Sequence, residues 1–78
     1  MPVFYFDVYN DDVTLDDEGA EFADLRAARE HAIKEARALA ADTVLQGHFV
    51  RRHRIDIRDQ HQAIVGSVRF EEAVEIRP

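Results

Sequence analysis

The stretch DLRAAREHAIKEARALAADTVLQG, residues 24–47, decides the fold. Its apolar residues Leu25, Ala28, Ala32, Ile33, Ala36, Leu39, Ala40 and Val44 recur at spacings of three and four. That spacing is one stripe along a helix. Asp24 suits the N-cap, because a short side-chain oxygen can accept a free N–H of the first turn. Phe22, just ahead of it, can pack on that turn. Glu30 and Lys34 stand i,i+4 on the outer face in the favourable order. Gly47 is a natural stop. The pattern predicts a helix over 25–46, roughly 33 Å long at about 1.5 Å per residue. Its small alanines would let it lie close against a sheet.

Working outward, the flanks read as strands. Residues 3–9 are rich in Val, Phe and Tyr, which suit a pleated, half-buried surface. Alternation puts Phe4, Phe6 and Val8 on one side, and Val3, Tyr5, Asp7 and Tyr9 on the other. Asn10-Asp11-Asp12 is turn chemistry, and 13–15 is a short second strand ended by Asp16-Asp17-Glu18-Gly19. After the helix, residues 51–58 form a third strand and 59–62 a hairpin loop. A fourth strand runs over 63–69, with Ile64, Val68 and Phe70 on one side and Ala63, Val65, Ser67 and Arg69 on the other. Residues 71–78 bring Val74 and Ile76 as a last flap on the core. The order ββαββ predicts a single α+β domain over 1–78. It is a small antiparallel sheet of three to four strands with one long helix covering one face. The expected core is Phe4, Phe6, Val8, Leu15, Leu25, Ile33, Leu39, Ile55, Ile57, Ile64, Val68 and Phe70.

Composition narrows what such a domain can do. Seventy-eight residues leave no room for a second core. The absence of cysteine excludes a disulfide framework, a thiolate zinc site and a cysteine nucleophile, and favours a reducing compartment. The start, Met1-Pro2-Val3-Phe4-Tyr5-Phe6-Asp7, lacks the basic leader of a signal peptide. No stretch reaches the roughly 20 apolar residues of a membrane span. A cytoplasmic protein with no membrane association is expected. The formal charge is −6, unevenly spread: residues 1–25 hold eight acids and no Lys or Arg, whereas Arg51, Arg52, Arg54 and Arg58 form a basic run. An acidic chain is a poor non-specific nucleic-acid binder, because neutralising phosphates drives that affinity.

The aromatic strand Phe4-Tyr5-Phe6, the segment Asp16-Asp17-Glu18-Gly19-Ala20-Glu21-Phe22, the alanine-rich helix from Asp24-Leu25 and a closing hairpin that ends on Phe70 and Ala73-Val74 form a recognisable set. Over nearly its whole length the chain resembles a family of small stand-alone bacterial proteins known only as a domain of unknown function. The D-x-E-G-x-E segment is the most specific part of the likeness. The resemblance implies a small bacterial protein and brings with it no activity, ligand or site residues.

Candidate chemistry is sparse. Asp11, Asp12, Asp16, Asp17 and Glu18 could hold a hard cation through oxygens, but the spacing is not that of an EF-hand, and a solvated loop beside a helix N-terminus accounts for them. His31, His48, His53 and His61 show no metal-ligand spacing. There is no Gly-rich phosphate loop and no G-x-S-x-G elbow, and the one serine is Ser67. No catalytic residue, metal or cofactor is expected, and a pocket of useful size needs more protein than this unless two chains build it. The open sheet face carries the interest. The register gathers Tyr5, Tyr9, Arg52, Arg54, Arg58, Val65 and Arg69 away from the helix. Aromatics among arginines can stack bases and hold phosphates, and they are also enriched at protein interfaces. The plainer reading is cross-strand pairing, with Asp7 and Asp56 neutralising arginines. The expectation is a non-enzymatic protein-interaction module that forms a homodimer through this face, the alternative being a nucleic-acid-binding module using the same residues.

Overall fold

The computed structural model describes every residue, Met1–Pro78. Strand β1 is Val3–Tyr9, β2 Val13–Thr14 and β3 Ala20–Glu21; α1 is Leu25–Leu45; β4 is Arg54–Arg58, β5 Ile64–Arg69 and α2 Phe70–Ala73. All pairings are antiparallel. The path runs β2-β1-β4-β5, with β3 also on β1. The architecture is therefore α+β in the expected ββαββ order, and Ala20–Glu21 adds a short strand to it. Because β3 and β4 both run antiparallel to β1, they are parallel to each other, and α1 is the crossover that joins them.

The long helix starts where its cap says it should: the Asp24 carboxylate accepts the Ala27 N–H at 2.9 Å. It ends at Gln46, and Gly47 follows with φ +98°. Its contact with the sheet is a ladder of alanines, Ala28, Ala32, Ala36 and Ala40, all buried. A side chain of one carbon lets the helix axis approach closely, so the facing bulk comes from the sheet: Phe4, Phe6, Ile55, Ile57 and Val68. Phe70 and Ala73 of α2 close one end.

Part of the expected core lies elsewhere. Leu15 is 62 % and Ile64 65 % exposed, and Leu25, the first residue of α1, is also exposed. Leu15 follows a strand of only two residues. The chain has left the sheet there, so strand alternation no longer sets its direction. Ile64 is displaced by a bulge: Ile57 faces Gly66 and Arg58 faces Ile64, which leaves Val65 unpaired. Beyond that extra residue the sides exchange. Val65 turns in against the core and Ile64 turns out. Val8, Ile33 and Leu39 are half-buried and packed on the core's edge. Residues 51–53 precede β4 as a turn rather than extending the strand. Of the tail, Ala73 packs into the core, whereas Val74 and Ile76, the residues expected to do so, are exposed.

Candidate interaction face

The side of the sheet opposite α1 is built in cross-strand rows. One row runs Val13, Tyr9, Arg54, Arg69; the next is Asp7, Asp56, Ser67; the third is Tyr5, Arg58, Ile64. Strand alternation forces this pattern, since the residues between these are the ones buried under the helix. In the central row two buried aspartates stand directly opposite each other, an arrangement that is unfavourable unless each has a cation. Each has one. Arg58 meets Asp7 with two bonds, Nε to Oδ2 at 2.6 Å and Nη2 to Oδ1 at 3.0 Å. Arg54 Nε donates to Asp56 Oδ1 at 3.0 Å, and the Ser67 hydroxyl donates to the same oxygen at 2.8 Å. Both guanidiniums also cover an aromatic ring. Arg54 sits 4.2 Å from the Tyr9 centroid and Arg58 5.0 Å from that of Tyr5.

The D-x-E-G-x-E segment ties into this lattice. β2 and β3 leave a gap along the outer edge of β1, and Asp16 fills it. Its Oδ2 accepts the Phe6 N–H at 3.1 Å, and its Oδ1 accepts those of Glu18 and Gly19. The Asp16 N–H donates back to Asp7 Oδ1 at 2.9 Å, and its carbonyl accepts from Arg58 Nη2. Gly19 is required by space as well as by its φ of +71°. A Cβ there would come within 2.8 Å of Val3 Cγ1 and 2.9 Å of Tyr5 Cε1. Asp7, Asp16 and Arg58 thus form one knot joining β1, β4 and the acidic loop. The Arg58 side-chain bond holds the Asp7 carboxyl below the usual range against the opposing effect of burial, helped by the Asp16 N–H. Burial pushes Asp16 upward, but the N–H groups of Gly19, Phe6 and Glu18 and the charge of Arg58 outweigh it, and its pKa is also lowered. Arg58 is raised above its ordinary value, first by Asp7.

Of the residues expected on this face, the structure brings together Tyr5, Tyr9, Arg54, Arg58 and Arg69. It does not bring Val65, which the bulge turns inward, or Arg52, which lies in the turn before β4. Two residues join the face that sequence reasoning missed. Val13 is 62 % exposed beside Tyr9, and Ile64 stands beside Arg58. The sign of the bulge was Gly66, an isolated glycine inside a strand pattern. Asp16 was marked only as the first residue of the D-x-E-G-x-E segment, a likeness that assigns it no role.

The free edge of β5 is covered by side chains. Arg29 Nη1 donates to the Ser67 carbonyl at 3.3 Å, and the Glu72 carboxylate accepts the Arg69 N–H at 3.3 Å. Charged caps of this kind oppose strand addition at an edge. The histidines are dispersed. His31 packs between Phe6 and Phe22 and pairs with Glu35 at 3.2 Å. His53 is buried against Phe70 with Nε2 3.6 Å from Asp11 Oδ1, while His48 and His61 are exposed in loops. No group of three or more His, Asp or Glu side chains is placed to hold a metal ion. No helix is long and apolar enough to cross a membrane.

A second surface lies at the far end of α1. The helix is about 31 Å long, whereas β1, the longest strand, is about 23 Å. The last turns of the helix therefore outrun the sheet that would have covered them. They form an apolar groove of about 720 Å³ with Phe49, Val74 and Ile76, a feature that sequence reasoning held such a small domain too small to carry.

No curated protein and no solved structure matches the chain. A family does: residues 3–71 match the one described as Domain of unknown function (DUF6894). That span includes every strand, the long helix and the whole Asp7–Asp16–Arg58 knot, and the chain belongs to this family.

Proposed function

We propose that the protein is a non-enzymatic interaction module that works as a homodimer in the bacterial cytoplasm, two copies meeting through the uncovered sheet face. The observation that carries this reading is the pair of aliphatic side chains, Val13 and Ile64, left well exposed among Tyr5, Tyr9 and the stacked arginines. Apolar surface on a face with no helix over it is what a second copy would bury. A two-fold axis would present the same rows to each other, so every contact would be made twice. Exposed ion pairs contribute about 0–1 kcal/mol each. The affinity would therefore come from the tyrosines, Val13 and Ile64, with charge setting orientation. A membrane partner has no observation in its favour.

Nucleic acid fits the same face less well. The guanidiniums that would meet phosphates are committed: Arg54 to Asp56, Arg58 to Asp7, and Arg69 to Glu71 and Glu72. Each tyrosine ring already has a cation over it, and the chain carries net charge −6.

Light scattering at micromolar concentration tests the proposal. Wild type should run as a dimer, and Tyr9→Glu combined with Ile64→Glu should run as a monomer with unchanged helix content. Tyr5 is left alone in this test because its ring packs against Gly19. A monomeric wild type, or a dimer that survives both changes, would reject the face. Salt-sensitive binding to a labelled single strand would favour the nucleic-acid reading instead.

A further inference from the structure

The two exposed aliphatics of the open face stand at opposite corners of it. The face is four strands wide, β2-β1-β4-β5, which is about 14 Å at about 4.8 Å per strand. From the Tyr9 row to the Tyr5 row it is four residues tall, about 13 Å. It is therefore close to square. Val13 holds the β2 corner in the Tyr9 row, and Ile64 the β5 corner in the Tyr5 row. The other two corners are charged. Arg69 ends the Tyr9 row on β5 beside Arg54, with Glu71 and Glu72 on its flank. Just beyond the fourth corner Glu21 stands opposite Val3, exposed and with no cation partner. Strand alternation puts Val3, and Glu21 with it, on the Tyr5 side of the sheet.

We infer that the second copy docks with its strands at right angles to those of the first, the two-fold axis lying along the diagonal from Val13 to Ile64. The inference rests on the sheet-face dimer proposed above and adds to it the orientation of the partner. Four two-fold arrangements lay one square face on another: with the axis along the strands, across them, or on either diagonal. Along or across the strands, each aliphatic corner meets a charged one, Arg69 or Glu21 of the other copy, and burying a charge against apolar surface is costly. On the Arg69–Glu21 diagonal, Val13 meets Ile64, but Arg69 meets Arg69 and Glu21 meets Glu21, like on like. On the Val13–Ile64 diagonal, Val13 meets Val13, Ile64 meets Ile64, and Arg69 of each copy meets Glu21 of the other. That arrangement alone joins apolar to apolar and opposite charges to each other, and symmetry makes the charge contact twice. A diagonal axis turns the strands by a right angle, which is the orthogonal class of sheet packing. The central pairs Arg58–Asp7 and Arg54–Asp56 are satisfied within each chain and ask nothing of the partner.

The chain has no cysteine, so single cysteines report where the axis lies. Val13→Cys and Ile64→Cys, both at exposed positions, should each be joined to their own copy by a short bis-maleimide, with helix content unchanged. Lys34→Cys, exposed on α1, should not be. An equimolar mixture of the Val13 and Ile64 variants should give no cross-linked product that contains both. Glu21→Arg should weaken the dimer roughly tenfold at low salt, because two exposed attractions become two repulsions. A product containing both variants would move the axis to the other diagonal. No cross-link at either site, in a protein that light scattering shows to be dimeric, would mean aligned sheets, and a dimer indifferent to Glu21→Arg would separate Glu21 from Arg69. Each of these overturns the inference and leaves the sheet-face dimer standing, whereas a monomeric wild type overturns both.

Discussion

The two sides of this sheet are made by the same strands and held by different forces. On the helix side Phe4, Phe6, Ile55, Ile57 and Val68 meet four alanines, and nothing in the contact depends on charge. On the other side, one residue along in each strand, Asp7 and Asp56 are just as buried but stay there only because Arg58 and Arg54 reach them. The first side works by removing apolar area from water, which tolerates a range of shapes. The second works by satisfying specific atoms, and losing one partner strands the other. A β-strand's period of two therefore gives this small domain two stabilising systems with opposite sensitivities.

Breaking each system separately gives the largest effects. Ile57→Ala removes a fully buried side chain and should cost about 3–4 kcal/mol by denaturant unfolding. Asp7→Ala should cost about 3 kcal/mol, since it leaves Arg58 and the Asp16 N–H without their acceptor. The contrast lies in the rescue. Adding Arg58→Met to Asp7→Leu should recover much of the loss, because an apolar pair leaves no stranded charge. No second change should rescue Ile57→Ala without refilling its volume. Gly19→Ala should cost about 2 kcal/mol from backbone conformation alone, and more if Val3 and Tyr5 cannot move aside.

Acid sharpens the difference further. Asp7 and Asp16 have lowered pKa values in the folded protein. Their contribution is complete above the unfolded value of about 3.9 and is lost as pH falls through the lower, folded values. Stability should therefore decline below about pH 4 in wild type and in Ile57→Ala alike. In Arg58→Ala, where Asp7 is no longer held down, the decline should be shallower. The smallest effect belongs to the edge of the helix side: Leu39→Ala should cost about 1 kcal/mol, because that residue is only half-buried.

The helix side was legible in the sequence, and the open side only partly. The 3–4 spacing over residues 24–47 and the alternation in 3–9 required no knowledge of the rest of the chain, and both elements fall where those patterns place them. The alanines were seen as permitting close approach, and they turn out to be the contact itself. Ile64 and Val65 were exchanged because a single extra residue inverts alternation, and only Gly66 marked it. Of the Asp7–Asp16–Arg58 knot, the cross-strand reading anticipated that Asp7, like Asp56, neutralises an arginine, and it gave neither which arginine nor the part of Asp16. Its members are 9 and 51 residues apart along the chain from Asp7, and no local pattern says which of many acids will find which arginine. The groove depended on the helix outrunning its strands, a comparison of lengths that needs the strand ends.

The claim that the uncovered face is a contact surface meets its most direct test in dilution. Amide spectra of wild type recorded from millimolar to low micromolar concentration report which residues sense a second copy. The signals of Tyr9, Val13, Arg54 and Ile64 should move together along one binding curve, while those of Ala32 and Ala36 beneath the sheet stay fixed. Spectra that do not change with concentration, or changes confined to Val44, Leu45 and Ile76, would contradict it.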